Sequence, residues 1–256
     1  MKFSVFAKEK DKIEPIKAKL MELAPKQGFI FDDVNPEVVF VIGGDGSILK
    51  ASQKYIDKLD SILFAGIKAG TLGFFYDYKD EELEELLSSI LNNDYRINEY
   101  NLLEGLLGNK KIYAINEIRL ENPFHTMVCQ ISIDDIELEK FRGNGILVCS
   151  ALGSTAYNKS VGGAVMSHNL DAIQLTEISA IQNNVYRSLG SSLILEKNSI
   201  ITLKGKFDNV LVGYDHLTSE ATGLEEIKIY SSNKKIRFLH KKDHTYLNAI
   251  KRSFIK

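Results

Sequence analysis

Over the first hundred positions, short unbroken apolar runs alternate with stretches of helical period. Val38-Val39-Phe40-Val41-Ile42 is the strongest run. It is mostly β-branched and has no polar alternation, the pattern of a strand covered on both faces. Ile62-Leu63-Phe64-Ala65-Gly66-Ile67 repeats it, and 3–7 and 29–31 are shorter versions. Ile13, Ile16, Leu20 and Leu23 predict a helix over 11–23 with Pro15 in its first turn. Ile48, Leu49, Ala51 and Tyr55 predict a second helix, opening at Ser47. Leu83, Leu86, Leu87 and Ile90 predict a third over 80–91, whose early glutamates complement the helix dipole. Strands and helices alternating at this spacing predict a parallel α/β sheet.

From residue 101 the pattern changes to short strands: 102–107, 111–115, 117–120, 127–133, 136–141 and 146–149, with Asp134-Asp135 as a hairpin turn. Further strands are predicted at 193–195, 200–203, 209–213 and 226–230. Ile173, Leu175, Ile178 and Ile181 predict one intervening helix over 172–181. The tail ends in a helix-like stretch marked by Tyr246, Ile250 and Phe254. The organisation read from this is an α/β domain over 1–100, a β-rich domain over 101–236, and a tail, 237–256, packing back on the first domain.

Composition narrows the classes. The chain has 256 residues, 44% of them hydrophobic and 26% charged, with a formal net charge of −2. That balance gives no polyanion-binding surface and no electrostatic membrane anchor, so neither nucleic acid nor membrane is expected as a partner. Cys129 and Cys149 lie in apolar strand-like contexts and read as buried reduced thiols, consistent with a cytoplasmic protein. No apolar run approaches the ~20 residues of a membrane helix, and Lys8, Glu9 and Lys10 break the N-terminal run too early for a signal peptide. His125, His168, His240 and His244 lack metal-ligand spacing and read as surface or packing residues, so no protein metal site is predicted.

Two stretches carry candidate chemistry. The first apolar run ends in Gly43-Gly44-Asp45-Gly46 ahead of the second helix. Glycines let a ligand approach the backbone closely, and the N–H groups of the helix's first turn favour phosphate. Asp45 is the anomaly, since its charge repels an anion. Either it acts on the substrate, or it merely caps the helix. Lys50, one turn on, is a candidate charge partner. The second stretch, Gly153-Ser154-Thr155-Ala156-Tyr157-Asn158-Lys159-Ser160-Val161-Gly162-Gly163-Ala164, packs hydroxyls, an amide, an amine and glycines together. Such density suits a ribose, an amide or a phosphate, and equally a polar loop. Asn116-Glu117 is a lesser cluster, able to accept from ribose hydroxyls or an exocyclic amine.

Taken together, Gly43-Gly44-Asp45-Gly46, Gly70-x-Leu72-Gly73-Phe74, Asn116-Glu117, Phe141-Arg142-Gly143-Asn144-Gly145 and the 153–163 stretch resemble the NAD kinase family in order and spacing, over nearly the whole chain. The resemblance implies an N-terminal α/β domain (phosphofructokinase/diacylglycerol-kinase-like), a C-terminal all-β sandwich-like domain, and an active site in the cleft between them. It implies phosphorylation of the 2′-hydroxyl of the adenosine ribose of NAD to give NADP, from ATP with a divalent metal cation such as Mg²⁺, or from polyphosphate. Homodimers and homotetramers are common in the family. Asp45 then matches the catalytic aspartate, and Gly43, Gly44, Gly46 and Lys50 match a phosphate cradle. The NAD-binding positions implied are Asp45, Gly46, Phe74, Asn116, Glu117, Arg142, Asn144, Leu152, Thr155, Ala156, Tyr157, Asn158, Lys159, Ser160, Ser179 and His216. Asn144 departs from a common aspartate, and Lys68-Ala69-Gly70-Thr71 departs from a usual Asn-Thr-Gly-His.

Three other classes compete. A lipid kinase sharing the glycine turn calls for a membrane-facing segment, and a sugar kinase of the phosphofructokinase type calls for clustered arginines; the sequence has neither. A non-catalytic dinucleotide binder has no use for Asp45. The missing Gly-x-x-x-x-Gly-Lys-Ser/Thr excludes an ordinary P-loop kinase.

Overall fold

A β-branched run with no polar side chain can only be buried on both faces, and that is how the first unit is built. The computed structural model describes residues 1–8, 11–69 and 73–255; Gly70, Thr71 and Leu72 of the second glycine-punctuated turn, together with Glu9, Lys10 and Lys256, lie outside the described residues. Residues 1–100 and 234–256 form one compact unit, and 101–233 form another.

The first unit contains β1 (Lys2–Ala7), α1 (Glu14–Lys26), β2 (Ile30–Phe31), β3 (Val38–Gly43), α2 (Asp45–Lys54), β4 (Leu63–Lys68), β5 (Tyr78–Lys79) and α3 (Leu83–Leu91). β1 lies between β2 and β3, β3 pairs with β4, and every pairing is parallel. β5 adds to the far edge of β4, also parallel. Val38, Phe40 and Ile42 face a core shared with Ile16, Leu20 and Ala24 of α1 and Leu83, Leu86, Leu87 and Ile90 of α3. Val39 and Val41, pointing the other way, are equally buried. Two helices differ from their predicted bounds. α1 starts three residues late and runs on to Lys26, because Ala24, not Leu23, completes its buried stripe. α2 starts at Asp45, not Ser47, with Gly44 as its extended N-cap.

The second unit is a sandwich of antiparallel strands. Its elements are β6 (Arg96–Leu107), β7 (Lys110–Ala114), β8 (Glu117–Glu121), β9 (Met127–Ile133), β10 (Ile136–Gly143), β11 (Gly145–Ser150), a one-turn helix α4 (Tyr157–Ser160), β12 (Ala172–Ile178), β13 (Leu193–Glu196), β14 (Ile201–Gly205), β15 (Leu211–Tyr214), β16 (Leu217–Glu220) and β17 (Glu226–His240). One sheet runs β13-β12-β11-β8-β15-β16. Facing it are β10-β9-β14 with the first part of β17, and the β6–β7 hairpin. Ile118, Leu120, Ile146, Val148, Ile173 and Leu175 of one layer meet Met127, Ile131, Phe141, Ile201, Leu203, Ile227 and Ile229 of the other in a single core. Cys129 is buried in that core and Cys149 in a smaller cluster with Leu147, Ala151 and Met166, both as free thiols. Asp134 and Asp135 turn the β9–β10 hairpin, both with positive φ (50° and 66°), as a two-residue type I′ connection requires.

Residues 172–181 correct the sequence reading. The predicted helix is strand β12, hydrogen-bonded on both edges to β11 and β13. Its apolar spacing fits either period, and Ile173 and Leu175, two apart, go to the same core. β16 went unpredicted because its side chains alternate between half-buried and exposed. The last strand is far longer than 226–230: β17 continues to His240, and its residues 237–239, which belong to the first unit, pair in parallel with β4. After it come α5 (Tyr246–Ile250), capped by Thr245, and a wider turn, Lys251–Ile255. No helix among the described residues is long and apolar enough to cross a membrane.

Candidate functional site

In the first unit the chemistry gathers at the carboxyl ends of β1 and β3, where open α/β sheets hold ligands. Gly43 ends β3 with φ +150°, and a Cβ there would sit 2.4 Å from Ser47 Oγ. Only glycine lets the chain turn so tightly into α2. A pocket of about 720 Å³ opens here, lined by Lys8, Asp11, Lys12 and Ile13 from the β1–α1 connection, by 43–47 from the turn, and by Ala69. The first turn of α2 borders that pocket, and the dipole of its N-terminal end favours an anion there, although the Ser47 N–H is already bonded to the Gly44 carbonyl at 2.6 Å. Lys50 does not line it; it is exposed on α2. The cations that do are Lys8 and Lys12, which sequence reasoning passed over. Their position just past a parallel strand was the available signal.

Asp45 is the first residue of α2, yet it does not cap that helix. Instead its carboxylate accepts from the Phe74 N–H at 3.0 and 3.1 Å and from the Phe75 N–H at 3.4 Å. The Tyr76 hydroxyl donates to the Gly44 carbonyl at 2.6 Å, and the Arg252 guanidinium donates to the Gly73 carbonyl at 3.2 Å. Burial pushes the Asp45 carboxyl above the usual carboxylate range, against the pull of the two N–H donors and of the Arg252 charge. The Phe74 ring is half-buried and packs on Phe254, with centroids 5.5 Å apart.

The same unit holds a second titratable cluster. Asp77 joins His240 Nδ1 at 2.6 Å and His244 Nδ1 at 2.7 Å, and the two rings stack with centroids 3.9 Å apart. Those are hydrogen-bond distances, and they tie the segment leading into α5 to Asp77. The three side chains also place one ligand atom each within 4.8 Å of the others, so His240 and His244, read from sequence as lacking metal-ligand spacing, form with Asp77 a group that could hold a metal ion. Burial would raise the Asp77 carboxyl, but the two imidazoles hold it well below the usual carboxylate range.

In the second unit the site is built on β8. Ile118 and Leu120 point into the core, so Glu117, Arg119 and Glu121 share the other face. Arg119 Nε donates to Glu121 at 2.7 Å, and its Nη1 reaches Glu117 Oε1 at 3.4 Å. The Tyr157 hydroxyl donates to Glu121 at 3.0 Å, and its ring lies under the Arg119 guanidinium at 5.2 Å. Glu117 Oε2 is buried without a hydrogen-bond partner among the described residues. Burial, with the nearby Asp215 charge, pushes the Glu117 carboxyl up to about 7 despite Arg119. A buried acceptor left open in this way is costly unless a ligand donates to it.

Asp215 was not among the predicted site residues, and it organises the strand ends around Asn116. Its two oxygens accept from the Ile115 and Asn116 N–H groups, each at 2.8 Å. Ser150 Oγ donates to the Ile115 carbonyl at 2.6 Å and accepts from the Gly153 N–H at 3.1 Å. Gly153 fits so closely that a Cβ would come 1.9 Å from the Asn116 carbonyl oxygen. These contacts bring Asn116, Glu117 and the turn Leu152–Thr155 together. Asn158 is fully buried, its amide engaged by Thr176 at 2.8 Å and the Ala164 carbonyl at 3.3 Å. Lys159, Ser160 and His216 are exposed, and Thr155 and Ala156 are half-buried.

A third group lies where β10 leads into β11. The Ile181 N–H donates to the Arg142 carbonyl at 2.7 Å and the Asn144 N–H to the Ile178 carbonyl at 3.0 Å, setting Arg142, Asn144 and Ser179 side by side. Ser179 holds φ 50°, and the Asn144 side-chain amide donates to the Asn122 carbonyl at 3.3 Å. The Arg142 guanidinium lies over the Tyr186 ring at 5.4 Å.

Residues 116–241 match the family model of the ATP-NAD kinase C-terminal domain. Over 260 residues the chain is 35% identical to an NAD kinase of Leuconostoc mesenteroides subsp. mesenteroides, covering 100% of this chain and 98% of that protein. Over 262 residues it is 36% identical to an NAD kinase of Streptococcus pneumoniae, covering 99% and 96%. Among solved structures, yeast NADH kinase complexed with NADH matches in fold with a TM-score of 0.83 at 19% identity, covering 97% of this chain and 86% of that one. An Archaeoglobus fulgidus NAD kinase in complex with ATP matches with a TM-score of 0.80 at 19% identity, covering 98% and 99%. With full-length relatives at this identity, the chain belongs to the NAD kinase family.

Proposed function

We propose that the protein transfers the terminal phosphoryl group of ATP or inorganic polyphosphate to the 2′-hydroxyl of the adenosine ribose of NAD, giving NADP. The observation that carries this reading is the Asp45 carboxylate, held by two backbone N–H groups at the head of α2 in a lysine-lined pocket. In the reaction the 2′-oxygen forms a bond to the terminal phosphorus, and the bond from that phosphorus to its bridging oxygen breaks. The leaving group is ADP or a polyphosphate shortened by one unit. The hydroxyl proton passes to Asp45 and on to solvent; general-base assistance of this kind is worth roughly 10²–10⁴-fold. The raised affinity of the buried Asp45 carboxyl for a proton suits that role.

Lys8, Lys12 and the first turn of α2 would hold the donor's phosphates. Asp11 lines the same pocket, and its carboxylate together with phosphate oxygens would form a hard-oxygen donor set of the kind Mg²⁺ accepts. When bound, the cation offsets phosphate charge. Glu117 would accept from the adenosine portion of NAD through its open Oε2, with Asn116 and the Leu152–Thr155 turn completing that subsite.

The test is direct. Purified protein with NAD, Mg²⁺ and either ATP or polyphosphate is expected to form a product with a ³¹P resonance at the 2′-position, reducible by an NADP-specific dehydrogenase. No product from any donor would sink the reading.

A further inference from the structure

The C-terminal turn reaches the residues that hold Asp45, although nothing in the reaction as described uses it. Arg252 is half-buried, and its guanidinium donates to the Gly73 carbonyl at 3.2 Å. Gly73 is the residue immediately before the two N–H groups that grip the Asp45 carboxylate. A Cβ on Gly73 would stand 3.2 Å from Asp45 Oδ1, so this short segment lies directly against the carboxylate. Two residues after Arg252, the Phe254 ring packs on Phe74. The turn Lys251–Ile255 therefore touches the 73–74 segment at two points, one polar and one aromatic. The segment leading into that turn is itself tied to Asp77 by His240 and His244.

We propose that Arg252 is a positioning residue for Asp45, fixing the Gly73 peptide so that the Phe74 and Phe75 N–H groups stay on the carboxylate and placing a positive charge beside it. The inference rests on the reading of Asp45 as the reacting carboxylate. The charged and titratable groups set around Asp45 among the described residues are few. Tyr76 comes from its own loop, bonded to the Gly44 carbonyl; Lys8, Asp11 and Lys12 come from the β1–α1 connection; Arg252 comes from the C-terminal turn. Of these, Arg252 is the cation bonded to the loop that supplies the Asp45 hydrogen bonds. Removing it leaves burial less opposed, so the carboxylate should take up its proton at higher pH.

Two readouts decide the matter. One is the acid limb of the kcat–pH profile. The other is direct titration of the Asp45 ¹³C-carboxyl resonance, assigned by its loss in Asp45→Asn, which needs no turnover. Arg252→Gln is expected to move both upward and to lower kcat at neutral pH without raising the KM for NAD. Arg252→Lys, which keeps the charge, should restore the titration midpoint while recovering only part of kcat. An Asp45 midpoint unmoved in Arg252→Gln, with any lost activity tracking a lower Tm, would overturn the proposal and leave Arg252 a structural tie. So would equal shifts in the Gln and Lys variants. Absence of turnover in the wild-type protein would refute the kinase reading, and the carboxyl titration would still decide the role of Arg252.

Discussion

Glu117→Gln separates binding from stability, because the two should move in opposite directions. In the folded protein the Glu117 carboxyl is pushed from its ordinary 4.5 to about 7, first by burial and then by Asp215. A group whose folded value lies above its unfolded one stabilises fully below the unfolded value, and that contribution is lost as pH rises through the folded value. The wild-type chain should therefore lose about 3 kcal/mol between pH 4.5 and 7 through this one carboxylate. Glutamine does not titrate and forfeits no such contribution. Its buried amide brings a penalty of its own, about 1–3 kcal/mol when unsatisfied, but that offset is the same at every pH. Urea unfolding of both proteins at pH 5 and pH 8 isolates the difference: the variant should gain on the wild type by about 3 kcal/mol across that interval. Binding moves the other way. With the charged acceptor gone, NAD loses a charge-assisted hydrogen bond of about 1.5–3 kcal/mol, a rise in Kd of roughly 10- to 150-fold at pH 8 by calorimetry. A stability difference that stays flat between pH 5 and 8, or an unchanged Kd, refutes the reasoning.

The remaining predictions are simpler. Gly153→Ala puts a methyl group 1.9 Å from the Asn116 carbonyl oxygen; the turn must shift, with a loss of about 3 kcal/mol by denaturant unfolding and weakened NAD binding. Asp77→Asn weakens the hydrogen bonds that tie His240 and His244 together and should cost about 1.5–3 kcal/mol at pH 7. In the wild type, burial holds the His240 imidazole below its ordinary 6.5, so thermal stability should fall as pH drops from 6.5 toward the folded value. Lys8→Ala and Lys12→Ala should each raise the KM for the phosphoryl donor roughly tenfold and leave the KM for NAD unchanged in steady-state assays.

Much of the fold was legible because it rests on local periodicity. The run at 38–42 could be nothing but a doubly covered strand, and the stripe Leu83, Leu86, Leu87 and Ile90 is buried as its spacing demands. Residues 172–178 were misread because Ile173, Leu175 and Ile178 satisfy two periods at once. What settles them as a strand is pairing with β11 and β13, a non-local fact. The site divides in the same way. Asp45, Asn116 and Glu117 announced themselves through neighbouring glycines and strand ends. Arg119 and Glu121 were available in principle, two and four residues along β8 from Glu117. Asp215 was not, since its partners Ile115 and Asn116 lie about a hundred residues away. Arg252 reaches Gly73 from the far end of the chain, and no local pattern marks an arginine for that contact. The alternative of Asp45 as a helix cap was reasonable from sequence; it fails because the carboxylate turns to Phe74 and Phe75 instead of its own helix.

The most direct test of the central claim compares the wild-type protein with Asp45→Asn for two quantities measured side by side: kcat for NADP formation and Kd for NAD. Asparagine keeps the shape and one acceptor for the Phe74 N–H while removing the base. In Asp45→Asn, kcat should fall roughly 10²–10⁴-fold with NAD affinity largely intact. Retained turnover, or a loss of NAD affinity that matches the loss of rate, would contradict it.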